Sequence, residues 1–556
     1  MKKIFKIFFL SIVLFVVPFT FTSCLEILGY ILSGTDYEDE TDDGTNNDSS
    51  SDDQIGDYSY FWIGYTDSNG SFTSFKSKPA KFVAQGSKCK VYYLSDSSKS
   101  FINPTTETFQ KLADKFDSFY EKECAIFGSN VPTKQFSNII SISSDTPIYI
   151  LCFDIDSDAT YGNYSGTYGY FGSNDMYTSS YLSSLPSSTT NGVTFRSNQK
   201  QIFYVDSYFA QDMTDMVVST LAHEFQHMLQ YVNKTINLYN SNTKSSPTCS
   251  TWFNEMQSML AEELLQKTLE ITDANSPKSR LTYFNVGSNY GFTSIWDVTT
   301  IPSGTFDYAN SYSFGTFLMH KYKSTSFVNQ IAKNNYSDFD SIIQGLNSIG
   351  YTKTTEQLLA EWATWYVDDV LPANTYDSSY PLDAISLSSW QNDTIKNTYK
   401  SSDLFNSTNP TMPFIYNYNA KVELYSTGFS VHYLGTVQEG GTTYTFDLPK
   451  DTNIVFYTYC DDALNKISTS SYTLSNSLSG KPVYLIKINT GNAAVSGENT
   501  GSATNHTYSA NVYNLLNTNS RSLSITQEDR PIVKMGRPMD YLNNFDLGEL
   551  VNEKNN

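Results

Sequence analysis

The chain is 556 residues long, enough for two or more hydrophobic cores, and carries 36 basic against 57 acidic side chains for a formal net charge of −21. No basic cluster interrupts that acidity, which argues against nucleic acid as a partner. Six cysteines are present with no CxxC pair, so a structural zinc cluster is not indicated.

Residues 1–24 read as a lipoprotein signal peptide. Lys2 and Lys3 precede a mostly apolar run, IFKIFFLSIVLFVVPFTF, which is broken by Lys6 and Pro18 and is short for a spanning helix. The run ends at Phe21-Thr22-Ser23-Cys24, which resembles a bacterial lipobox, with Phe21 in place of the commoner Leu. Acylation of Cys24 would tether the mature chain to a membrane of the cell envelope, at the periplasmic face or the cell surface; a plain secretory signal would release it. If Cys24 is lipidated, Cys89, Cys124, Cys152, Cys249 and Cys460 remain, and the odd count leaves at least one free thiol. Residues 25–57 form a linker: from Ser33 to Asp57 it is almost wholly Asp, Glu, Ser, Asn and Gly, a self-repelling, disordered spacer with little to bury.

From residue 58 to 95 the segments YFWIGY, KFVAQ and CKVYYLS alternate apolar and polar positions and predict a small β-layer. Residues 104–127 open on Pro104 and Thr105 and carry Phe109, Leu112, Phe116 and Phe119 at helical spacing. PIYILCFDI then reads as a buried strand, and DSDATYGNYSGTYGYFGSNDMY as a Gly- and Tyr-rich loop. Asp154, Asp156 and Asp158 alternate there as calcium ligands can, without the glycine and closing Glu of a calcium loop. A short strand, QIFYVD at 201–206, follows.

Residues 214–234, TDMVVSTLAHEFQHMLQYVNK, predict a helix whose apolar side comprises Met216, Val217, Leu221, Phe225 and Met228. It carries the motif H-E-x-x-H. His223 and His227 are four residues apart, so both imidazoles can reach one divalent cation, and Glu224 is placed to take a proton from a water on that cation. A third ligand completes such a site. The extension with Gly three and His six residues past the second His fails, because Gln230 and Asn233 occupy those positions. The remaining pattern takes a Glu from a later helix, and TWFNEMQSMLAEELLQK (251–267) reads as that helix, capped by Ser250 or Thr251, with Phe253, Met256, Leu260 and Leu264 as its stripe. Glu255 is the expected ligand. Glu262, two turns on, is a partner for a ligating histidine or an alternative ligand; a solvated acidic face is the bland alternative for Glu255, Glu262 and Glu263.

Residues 309–334 and 338–370 read as further helices, SYSFGTFLMHKY, FVNQIAKN, DSIIQGLNSIG and TEQLLAEWATWYVDD. His320 is read as a core or surface histidine with satisfied hydrogen bonds rather than a substrate contact. From about 375 the texture becomes Tyr-, Thr- and Ser-rich, and KVELYSTGFSVHYLG, TYTFDLP, NIVFYTYC, PVYLIKI and TYSANVYNLL predict an antiparallel β-sandwich at 373–517. Residues 518–556 read as an irregular tail.

The runs STLAHEFQHM and TWFNEMQSMLAEE, with FQKLADKFDSFYEKECAIFG, IYILCFDIDSD and QIFYVD before them and SYSFGTFLMHKY after, resemble the hyicolysin family of zinc metallopeptidases (metallopeptidase family 30) in the gluzincin group. The likeness covers roughly residues 58–367 and is weak beyond. It implies an α+β, gluzincin-like (thermolysin-like) catalytic domain at 58–372, with an N-terminal β-layer and a helical lobe closing the cleft, ahead of the sandwich. It implies Zn2+ held by His223, His227 and Glu255, Glu224 as the catalytic acid/base, and Tyr312, three residues before Gly315, as oxyanion donor, with Tyr308 as the fallback. QIFYVD would lie near the cleft, where gluzincins pair an extended substrate with a sheet edge. One departure stands out: the family's N-E-G reads Asn254-Glu255-Met256 here, which is expected to reshape the pocket wall. The function implied is hydrolysis of peptide bonds in protein or peptide substrates outside the cytoplasm, by an endopeptidase. The competing reading is a catalytically inactive, surface-anchored binding protein on the same scaffold; an intact set of ligands and base tells against it. Nothing in the sequence sets the oligomeric state.

Overall fold

The computed structural model describes residues 53–368, 415–504 and 533–534, apart from 67–71, 100, 135, 137–138, 141, 162–165, 185–188, 191–192, 240–245 and 294–302. Cys24, most of the linker, the first part of the expected sandwich and nearly all of the tail lie outside the described residues. Among the described residues no helix is long and apolar enough to cross a membrane.

The architecture is mixed α+β. Strands β1 (Tyr58–Thr66), β2 (Phe72–Gln85), β3 (Cys89–Tyr93), β4 (Ile148–Phe153), β5 (Gly169–Phe171) and β6 (Ile202–Asp206) form one sheet in the order β1-β2-β3-β4-β6-β5. β1 to β3 are a meander, β3, β4 and β6 run parallel, and β5 returns antiparallel at the edge. Helix α1 (Thr106–Phe127) crosses over from β3 to β4. The Thr105 side chain caps its start by accepting from the Thr108 amide at 3.1 Å, and Phe109, Leu112, Phe116 and Phe119 are all buried along one face.

Two expectations change here. QIFYVD is not at a sheet edge: its residues 202–206 pair with β4 on one side and residues 203–205 pair with β5 on the other. The edge is Gly169–Phe171, inside the stretch expected to be loop. Three residues cannot carry a period-two pattern, and this strand is set by pairing with β6 rather than by its own side chains.

Helix α2 (Thr214–Gln230) passes beneath that edge and runs on into a π-turn, Tyr231–Ile236. Gly169 sits so close to α2 that a Cβ there would meet Thr220 Cγ2 at 2.8 Å and Glu224 Cγ at 3.4 Å, which is why the edge strand begins with glycine. Helix α3 (Thr251–Leu269) is packed on several sides by other helices. The expected single apolar stripe understates its burial, since every residue from Trp252 to Leu265 is buried, packed by α1, α2 and α4 (Ser303–Lys321). Its polar residues are therefore inside and must find partners within the protein.

Helices α5 (Ser324–Lys333), α6 (Asp338–Ser348) and α7 (Thr355–Asp368) complete the helical lobe. Beyond it, β7 (Ile415–Asn417), β8 (Phe429–Thr436), β9 (Thr442–Asp447), β10 (Ile454–Cys460), β11 (Ala463–Ile467), β12 (Ser471–Leu474), β13 (Pro482–Asn489) and β14 (Ser502–Thr504) make two sheets, β7-β8-β13-β10-β11 and β12-β9-β14. The expected all-antiparallel pairing fails at one place, where β7 runs parallel to β8. The apolar core is continuous from the lobe into this region: the Phe429 ring packs edge-on against Trp362 and Tyr366 of α7, and Tyr457 donates to Glu356 at 2.5 Å.

Candidate metal centre

The Nε2 or Nδ1 atoms of His223 and His227 and a carboxylate oxygen of Glu255 lie within 4.8 Å of one another, and all three residues are buried. The two helices that carry them, α2 and α3, pack side by side. His223 and His227 project from one face of α2 with ring centroids 4.7 Å apart. Glu255 reaches between them, its Oε2 3.0 Å from His223 Nε2 and its Oε1 3.8 Å from His227 Nε2.

The hydrogen bonds on the far side of each ring fix which nitrogen is free. Glu262 accepts from Ser219 Oγ, and its Oε1 is 2.8 Å from His223 Nδ1. An ionised carboxylate only accepts, so Nδ1 carries the proton and Nε2 presents a lone pair toward Glu255. Ser258 has a single hydroxyl proton, which it donates to Gln226 Oε1; its oxygen, 2.9 Å from His227 Nδ1, accepts from that ring. His227 Nε2 is thereby also a lone pair. Two imidazole lone pairs and a carboxylate aimed at one small volume repel one another unless a cation lies between them, and that donor set fits a divalent metal with one coordination position left open.

Burial lowers the His223 pKa, but the hydrogen bonds and charges of Glu255 and Glu262 outweigh it and push the group up to about 10, so with no cation present the ring itself carries the positive charge, and a divalent metal at Nε2 would take the place of that proton. His227 is held well below its ordinary value by burial and by His223. Glu224, fully buried, is raised by burial and by Glu255 and Glu262, opposed by His223 and by the backbone amide of Phe171 on β5. Neither carboxylate oxygen of Glu224 has a hydrogen bond of normal geometry among the described residues.

Glu255, Glu262 and Glu263 are not a solvated face; all three are buried. Glu263 meets His320 Nε2 at 3.1 Å, a buried pair that makes His320 a core histidine. The Tyr312 phenol also faces Glu263, with Thr316 beside it, rather than the two ligand histidines. Tyr308 lies under the Arg280 guanidinium, 5.0 Å from its ring centre, and the Arg280 charge also acts on Tyr168, the residue that precedes β5. Met256 points at α4, where a Cβ on Gly315 would meet Met256 Cγ at 2.5 Å, so the glycine absent at position 256 has its counterpart in Gly315 on the facing helix. Asp154 is committed to Lys99 at 2.6 Å and to the Ala159 amide, and the one His/Cys/Asp/Glu group with metal-holding geometry among the described residues is the trio above. The five cysteines from Cys89 to Cys460 are all free.

Sequence reasoning missed Ser219, Gln226, Ser258 and Glu123. Ser258 had a signal, being one turn past Glu255 on the same face. Glu123, from α1, is fully buried near His223 and Glu262, and burial raises its pKa well above the usual carboxylate range; nothing in its sequence context marks it.

No protein-family model matches the chain. A segment of 160 residues is 29% identical to the neutral metalloprotease ShpI of Staphylococcus hyicus, covering 27% of this chain. The chain spans only about 30% of the length of that curated relative, and it is to that portion that the similarity applies.

Proposed function

We propose that this chain is a zinc-dependent metallopeptidase acting on proteins or peptides, most simply as an endopeptidase. The observation that carries the reading is the convergence of His223, His227 and Glu255 on one point, with Glu224 buried beside it on the same helix. The similarity to a neutral metalloprotease supports it.

A zinc ion at this site supplies a water of lowered pKa and polarises the scissile carbonyl. His223 and His227 hold their Nε2 lone pairs inward because Glu262 and Ser258 occupy the opposite nitrogens. Glu224, next to His223 on the same helix and buried beside the trio, would take the proton of the attacking water and return it to the leaving amine. For the oxyanion donor the resemblance points to Tyr312 with Tyr308 as the fallback, and we take Tyr308 because the Tyr312 phenol is turned to Glu263. The leader ending at Cys24 supports a lipid-tethered position in a bacterial cell envelope.

The test is zinc content together with hydrolysis of casein or a peptide library by wild type and Glu224→Gln. One bound zinc per chain in both, with hydrolysis lost in the variant, is expected. Retained hydrolysis in the variant would reject the mechanism.

A further inference from the structure

Beside His227, on the side of the β5 edge, lies a small cavity of about 30 Å³. Phe171, Tyr231 and Thr248 wall it, and Gln230, Cys249 and Asn254 supply its polar lining. Its size limits what enters: about 30 Å³ is well below the roughly 150 Å³ of a cavity that takes a benzene ring.

The walls have little freedom to widen. The Tyr231 hydroxyl bonds that of Tyr177, and Lys234 in the same π-turn is anchored to the carbonyls of Asn334 at 2.7 Å and Tyr336 at 2.8 Å. His227 is held by Ser258.

The polarity is set by a relay. Ser258 donates to Gln226 Oε1, so Gln226 must present its Nε2, which donates to Gln230 Oε1 at 3.2 Å. Gln230 is left with its own Nε2 as a donor; the group is buried and has no hydrogen bond of normal geometry among the described residues, with the Cys249 thiol facing it. A buried amide donor without an oxygen acceptor is unfavourable, and a ligand oxygen would relieve it.

We infer that this cavity is a specificity subsite for a small hydroxyl-bearing side chain, serine or threonine, at one of the two residues flanking the scissile bond. The inference rests on the peptidase reading above. Gly169–Phe171 offers an extended edge on which a substrate strand can lie, and Phe171 belongs both to that edge and to the cavity wall. A substrate residue entering beside His227 meets the Gln230 donor with its hydroxyl, while Leu, Phe or Tyr at that position meets Tyr231 and Thr248.

The experiment is digestion of a randomised peptide library by the zinc-loaded full chain, with cleavage sites read by mass spectrometry. Serine, threonine and other small residues are expected at one flank, favoured over Leu and Phe by about tenfold or more, the range over which pocket size discriminates. Gln230→Leu, close in volume, is expected to keep the size limit but lose the preference for serine over alanine; Tyr231→Ala is expected to admit larger residues. Cleavage by wild type with bulky residues accepted at both flanks overturns the subsite and leaves the peptidase reading standing. A Gln230→Leu profile identical to wild type overturns the hydroxyl preference. No cleavage of any peptide by the zinc-loaded protein overturns the peptidase reading, and the subsite with it.

Discussion

Glu262 and Glu255 grip opposite edges of one imidazole: Glu262 Oε1 is 2.8 Å from His223 Nδ1, and Glu255 Oε2 is 3.0 Å from His223 Nε2. Both carboxylates come from α3, two turns apart on nearly the same face, so a single helix both completes the ligand set and orients a ligand contributed by its neighbour. Glu262→Gln keeps the shape but removes the anionic acceptor. Zinc affinity is expected to fall by about 10- to 100-fold, measured by competition with a chelator. An unchanged affinity would mean that His223 needs no such partner.

The two tyrosines separate a catalytic role from a structural one. Tyr308→Phe is expected to lower kcat by about 100-fold with little change in melting temperature, as for loss of an oxyanion donor. Tyr312→Phe, which removes a buried hydroxyl facing Glu263, is expected to leave kcat within a few-fold of wild type. A large kcat loss confined to Tyr312→Phe would reverse the assignment.

The metal trio was legible because each of its parts obeys a local rule: four-residue spacing on one helix, and a second helix that opens at Ser250 with a Glu in its first turns, although the Ser250 hydroxyl bonds Asp338 instead of capping that helix. What supports the trio was not. Ser258, Gln226 and Gln230 form their relay only because α3 is buried on every side, and a polar residue on a helix reads from sequence as solvated. Gly169–Phe171 was hidden for a related reason, since a three-residue strand takes its conformation from β6 across the ladder. The β-layer and the helical lobe carry long periodic patterns and were legible as elements, but the stretch read as helical over 309–334 is two helices, the first starting at Ser303, and the parallel pairing of β7 with β8 had no sequence signal.

Gly315 and Met256 form a complementary pair across α4 and α3. Gly315→Ala puts a Cβ 2.5 Å from Met256 Cγ, closer than such a contact allows, and 3.3 Å from Leu260 Cδ1, which is tight. A destabilisation of about 1–3 kcal/mol is expected in urea denaturation. Adding Met256→Ala should recover part of it, since neighbouring substitutions are not additive. Strictly additive losses would show that the two residues do not share the space.

Lys487, on β13, is buried between the two C-terminal sheets, its Nζ bonded to the carbonyls of Ala420, at 3.0 Å, and Gly501. Two acceptors match the two N–H groups of a neutral amine, and burial lowers the group from 10.5 to about 7, opposed by the Asp447 charge. The unfolded chain therefore binds more protons than the folded one between about pH 7 and pH 10.5, and folding stability due to this residue rises with pH across that window. It is fully present above the unfolded value and lost as pH falls through the folded one. Lys487→Met removes the titration, so the variant is expected to be more stable than wild type at pH 7, by about 1–3 kcal/mol, and to lose that advantage toward pH 10. Thermal melts at the two pH values read the difference directly, and an advantage equal at both would mean that Lys487 does not change its proton on folding.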